Sequence, residues 1–164
     1  MFTFRPLITG VTIVAASVGA AATLATTGTA SAGTAVSPRA TSFTVRGHHG
    51  SETNLDLGKS GFSAGDQDLF TGSLTRNGTH AGSFVGTCTT VRVGKASADQ
   101  LCTFVLHLAH GQIMASGTTR SGKSGPGAFA LPILGGTGHY QTAAGQIAVT
   151  ATNGNTFPIA VTLR

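Results

Sequence analysis

Six histidines, five carboxylates and two cysteines are the residues of this 164-residue chain equipped to hold a metal, move a proton or form a covalent bond. His48 and His49 read as a loop pair, His107 and His110 straddle a strand end, and His80 and His139 fall in turns. A metal site needs ligands that converge, through an i, i+4 helical spacing or a nearby Cys/Asp constellation. No histidine here has either, so solvated or capping roles are expected and no metal is implied. A Ser-His-Asp arrangement lacks the G-x-S-x-G elbow that would expose its nucleophile. Gly117-Thr-Thr-Arg-Ser-Gly122-Lys123-Ser124 matches the phosphate-loop pattern letter for letter. That pattern works only when a helix N-terminus follows and faces the phosphates. Gly125-Pro126-Gly127 forbids such a helix, so the segment reads as a flexible Gly/Ser loop. Gly135-Gly136-Thr137-Gly138 lacks the third glycine of a dinucleotide fingerprint, since Gln141 stands there, and reads as a tight turn entering a strand. No nucleotide or other cofactor is implied. Asn77-Gly78-Thr79 is a glycosylation sequon on a turn.

The charges narrow the partners further. Charged residues make up 9% of the chain, against about 25% in ordinary domains. Too few charges exist to keep a disordered chain open. The formal net charge is +5, but the ten Lys/Arg are scattered and not interleaved with aromatic residues. Nothing in that spread tracks a phosphate backbone, so nucleic acid is not an expected partner.

The first 32 residues read as a targeting segment. Arg5 gives a thin positive start, Leu7 to Leu24 is apolar, and Ala30-Ser31-Ala32 offers small residues at both positions read by a signal peptidase. A membrane anchor is the competing reading, because the apolar stretch approaches ~18 residues. Thr9, Gly10, Thr12, Ser17 and Gly19 dilute it, and the A-x-A site follows. Secretion with cleavage after Ala32 is therefore expected, with no membrane contact afterwards. Residues 33–41 would form a flexible segment and 42–164 the folded domain.

The elements that must position any chemistry are strands. Glycine or a β-branched residue interrupts nearly every window, so no helical stripe survives. Runs rich in Val, Ile, Thr and Phe recur between Gly, Asn, Ser and Pro clusters. The pattern predicts strands near Ser42–Arg46, Asp68–Arg76, Gly82–Val93, Leu101–Ala109, Gln112–Thr119, Ala128–Leu134, Tyr140–Thr150 and Thr156–Leu163, with Thr53–Leu57 as a further edge strand. Asn77-Gly78, Ala109-His110-Gly111 and Asn153-Gly154 supply hairpin turns. With no helix to cover a sheet, the apolar faces must cover one another. An eight-stranded antiparallel up-and-down β-barrel does this and removes free edges.

One hairpin tests itself. If its loop centres near Lys95, Cys88 lies directly opposite Cys102, and Phe84, Phe104, Leu106 and Leu108 share their face, the expected interior. Two opposed cysteines in a secreted chain read as a cross-strand disulfide; a free thiol lining the cavity is the alternative.

From Gly65 onward, the order of motifs resembles the allene oxide cyclase barrel-like group, which includes the dirigent proteins. The resemblance is carried by Gly65-Asp66-Gln-Asp-Leu-Phe70, Gly86-Thr-Cys88, Cys102-Thr-Phe-Val-Leu106 and Gly111-Gln112-Ile113. Its most specific piece is Leu134-Gly135-Gly136-Thr137-Gly138-His-Tyr140-Gln-Thr-Ala143-Ala-Gly145. The resemblance implies an eight-stranded barrel, often a homotrimer, with a mostly apolar cavity lined here by Phe84, Phe104, Leu106 and Tyr140. It implies steering of a reactive small molecule through one ring closure or radical coupling, without metal or nucleotide. Cys88 falls where the cyclases have a cavity cysteine. Where the cyclases carry a first-strand glutamate, and dirigents an aspartate, this chain has Arg46 nearby. Gln141 and Ala144 stand where dirigents place arginines. Asp66, Asp68 and Arg46 are thus the charged catalytic candidates, Asp66 doubling as the cap of the turn after Gly65. Two functions follow: a barrel that binds an apolar small molecule and guides its cyclisation or coupling, or a non-catalytic carrier or interaction module. A core filled by its phenylalanines would favour the interaction module.

Overall fold

The computed structural model of the chain describes residues 41–122, 125–150, 152 and 154–164. The expected leader, with Ala30 and Ala32, lies outside the described residues, as do Lys123, Ser124 and Asn153. The strands are β1 (Thr41–Leu55), β2 (Gln67–Arg76), β3 (Thr79–Val93), β4 (Ser97–Leu108), β5 (Gly111–Gly122), the two-residue β6 (Gly125–Pro126), β7 (Phe129–Gly136), β8 (Gly145–Val149) and β9 (Thr156–Leu163). The sheet runs β4-β3-β2-β1-β9-β8-β7-β5, and β4 pairs with β5 to close it. Every pairing is antiparallel, and β6 only folds back on the end of β5. The result is a closed eight-stranded barrel.

Alternation decides which side chains enter it. On β4 the buried positions are Ala98, Gln100, Cys102, Phe104 and Leu106, each two residues from the next. The β3–β4 register sets Cys88 opposite Cys102 and Phe84 opposite Leu106. The two cysteines form a disulfide, with their Cα atoms 4.0 Å apart. Closing its loop is worth about 3 kcal/mol in the chain-entropy model. At one end of the barrel Val45, Leu74, Leu106, Ile113, Leu131, Ile147 and Val161 pack to near-zero exposure.

Several local expectations are corrected. The first strand does not end at Arg46 but runs to Leu55, absorbing both the His48–His49 segment and the start of the suggested Thr53–Leu57 edge strand. It continues because a bulge at Gly50, where pairing slips between His49 and Ser51, lets it stay on β2. The Gly117–Gly122 half of the phosphate-loop match is no loop; it lies in β5 and pairs with β4 from Ser97 to Cys102. Tyr140 does not open a strand. Gly138–Tyr140 is a 3-10 turn, entered through Gly138 at φ 59° and held by Tyr140 N–H donating to Thr137 O at 3.0 Å. β8 then starts only at Gly145. At the Asn77-Gly78 hairpin both residues adopt positive φ (51° and 80°), the geometry a tight two-residue turn requires.

Candidate binding cavity

The opposite end of the barrel is open. It holds a cavity of about 480 Å³ whose wall includes Phe62, Phe70, Phe84, Phe104, Phe129 and Phe157, the disulfide cysteines, and Glu52, Asp68 and Gln100. Five of the rings form a continuous belt. Phe157 meets Phe84 edge-on at 5.6 Å between centroids. Phe84 is followed by Phe70 at 6.4 Å, Phe104 at 4.9 Å and Phe129 at 5.8 Å. These are favourable tilted and edge-to-face pairings.

Glycines make room for the belt. Gly47 is paired with Phe157, Gly72 with Phe84, and Gly86 with Phe70 across neighbouring strands. A Cβ at Gly47 would come within 2.6 Å of the Phe157 ring, one at Gly72 within 2.4 Å of Phe84, and one at Gly86 within 2.4 Å of Phe70. Each ring therefore lies flat over a bare stretch of backbone instead of standing into the lumen. That is how a wall so rich in phenylalanine leaves volume at its centre.

Above the belt, toward the mouth, runs a hydrogen-bonded polar track. Gln100, 6% exposed, donates from Nε2 to Asp68 Oδ2 at 3.0 Å and accepts from Ser121 Oγ at 2.5 Å. The Asn54 amide nitrogen, turned toward the acceptors around it, donates to Asp68 Oδ1 at 2.8 Å and to Glu52 Oε1 at 3.1 Å. His49 Nε2 lies 3.5 Å from Glu52 Oε2. Buried Thr119 places its hydroxyl 3.4 Å from Cys102 Sγ. The bulge at Gly50 is what brings Glu52 here. Before it the odd residues Val45 and Gly47 face inward; after it Glu52 opposes inward-facing Phe70 and Asn54 opposes Asp68.

The other charged candidates sit elsewhere. Arg46, paired with Thr75 and Pro158, is exposed on the outside of the barrel because its neighbours Val45 and Gly47 turn in. Asp66 is spent on the loop before β2. Its carboxylate accepts from Ser63 N–H at 2.6 Å, Leu57 N–H at 3.2 Å, Gly58 N–H at 3.3 Å and the Ser63 hydroxyl at 3.4 Å. The Ser63 amide above all, and those of Gly58 and Leu57 after it, hold the Asp66 carboxyl below the usual carboxylate range against an opposing desolvation. Asp68 alone of the three stands on the cavity wall.

Phe84 and Phe104 line the cavity, whereas Leu106 packs in the sealed end and Tyr140 lies half-buried in the 3-10 turn, neither on the cavity wall. Sequence reasoning passed over Glu52, Asn54, Gln100 and Ser121. Gln100 was within reach, since it shares the parity of Cys102 and Phe104 on one strand. Glu52 was not, because only the bulge sets its phase.

These features define a closed eight-stranded antiparallel barrel, packed at one end and holding an aromatic cavity at the other. Solved structures bear out the fold. Pyocyanin demethylase superposes with a TM-score of 0.65 at 27% identity, covering 76% of this chain and all of its own. The Diels-Alderase AbmU from Streptomyces koyangensis superposes at 0.60 with 19% identity, over 75% of this chain and 63% of its own. A pterocarpan synthase dirigent protein superposes at 0.57 with 11% identity, over 76% of this chain and 83% of its own. No family model matches the sequence, and no curated protein does either.

Proposed function

We propose that the chain is a secreted barrel whose open end binds an apolar small molecule and holds it in one folded shape for a cofactor-free cyclisation or coupling. The observation that carries this reading is the cavity itself. About 480 Å³ of open volume exceeds the ~300 Å³ at which ligand pockets begin, and speaks against a core filled by its phenylalanines. A rigid aromatic wall restricts the ligand's shape, and the polar track at the mouth supplies acceptors and a carboxylate at one edge of it. The neighbours carry small-molecule activities in their names: a pyocyanin demethylase, a Diels-Alderase and a pterocarpan synthase. Secretion rests on the leader pattern of residues 1–32 and agrees with a disulfide, which persists in oxidising compartments.

A second reading, a non-catalytic carrier, is favoured by one detail. Both oxygens of Asp68 are already engaged, by Gln100 and Asn54, as befits a carboxylate that braces the wall. Two measurements separate the readings. Native mass spectrometry of protein from its own host's medium is expected to show a retained small molecule, and reports the subunit count with it. Reactive oxylipin or polyketide intermediates are then incubated with the protein. A shift to one stereoisomer supports guidance; unchanged stereochemistry with ligand bound leaves the carrier.

A further inference from the structure

The charge of the cavity wall opposes the charge of the whole chain. The chain carries a formal +5, yet the cavity wall presents the carboxylates of Glu52 and Asp68. Among its described residues no lysine or arginine stands beside them, and His49 is the one basic side chain, against Glu52. Asn54 donates to both carboxylates at once, so two like charges share one neutral amide at the edge of an apolar space. Such a pair is relieved by a positive charge or a strong donor lodged next to it. Phe70, Phe84 and Phe104 line the same cavity, and a ring face turned to it attracts a cation once water is excluded.

We infer that the cavity selects flat aromatic ligands bearing a positive charge or hydrogen-bond donors on one edge, with Glu52 and Asp68 as the specificity-determining residues. The inference rests on the reading of the cavity as a small-molecule site and names the class of molecule it takes. The ring system lies against the phenylalanine belt, and the charged edge points up to the carboxylates. An anionic ligand of the same shape meets like charge in a partly desolvated site and is rejected.

Three probes of one shape test this: 9-aminoacridine as the cation, anthracene-9-methanol as the neutral form and anthracene-9-carboxylate as the anion. The chain has no tryptophan, so probe fluorescence is read without protein interference. Non-specific attraction to a +5 protein would rank the anion first, which makes the opposite ranking informative. The expected order is cation, then neutral, then anion, with the cation at least about ten-fold tighter than the anion. Glu52→Gln and Asp68→Asn, singly and together, are expected to shrink that ratio stepwise toward unity. Glu52→Gln is the safer variant for folding, because Glu52 is half exposed and leaves the Asp68–Gln100 bond in place. An anion that ties or wins, or a cation preference that survives the double substitution in folded protein, overturns the inference while neutral-probe binding still upholds the cavity. Failure of all three probes to bind overturns both.

Discussion

The two ends of the barrel are built on the same alternation and finish in opposite states. At the sealed end the inward positions carry branched aliphatic side chains, Val45, Leu74, Ile113, Ile147 and Val161, which pack against one another to near-zero exposure. At the open end the inward positions carry rings and glycines in cross-strand pairs, Phe157 with Gly47, Phe84 with Gly72, Phe70 with Gly86. A ring seated on a glycine covers backbone instead of filling the centre. The difference teaches that volume, not hydrophobicity, separates the aromatic belt from the sealed end: both layers are apolar, and the pairing of large with absent side chains keeps one of them hollow.

The sharpest way to break this comparison is to create a cavity where none exists. Leu74→Ala, at a fully buried sealed-end position, is expected to cost about 2–5 kcal/mol in urea unfolding. Phe62→Ala, at the rim and 63% exposed, is expected to change stability by no more than about 0.5 kcal/mol. Equal losses at the two sites would show that the open end is as tightly packed as the sealed one. A smaller effect comes from filling the hollow end. Gly86→Ala sets a methyl group 2.4 Å from the Phe70 ring and 2.9 Å from Thr103 O, so the ring must swing into the lumen. Overpacking of this kind costs about 1–3 kcal/mol. Weaker binding of a neutral aromatic probe should accompany it, read by fluorescence titration.

The mildest expected effect is on the loop at the rim, through Asp66. Its carboxyl is held below the ordinary aspartate value of 3.8 by the Ser63, Gly58 and Leu57 amides. A lowered value in the folded state means the carboxylate form stabilises the loop. That contribution is fully present above 3.8 and is lost as the pH falls through the lowered value. Protection of the loop amides against hydrogen exchange, corrected for the intrinsic rate, should therefore fall in acid below that point while the sealed end holds. Asp66→Asn should remove the acid response of the loop.

Much of the scaffold was legible beforehand for a simple reason. Strand alternation and turn chemistry are local, so the β3–β4 register, the Cys88–Cys102 pairing and the Asn77-Gly78 turn follow from short stretches of chain. The same logic extended by two residues reaches Gln100. It fails at β1, where the bulge at Gly50 shifts the phase, so that residues beyond it exchange faces and Glu52 turns in. It also fails at Tyr140, whose turn is shaped by Gly138 and by the path from β7 to β8.

The residues by themselves determined an all-β barrel, its interior face along the central hairpin and its disulfide, because period-two burial and turn-forming residues act over a few positions. Which end would be hollow, and which acids would stand in the hollow, was decided only by closure of the sheet. Gly47 meets Phe157 across 110 positions of sequence, and Asp68 meets Gln100 across 32. Contacts over such separations depend on the register of every strand between them, and no short stretch of chain contains that register.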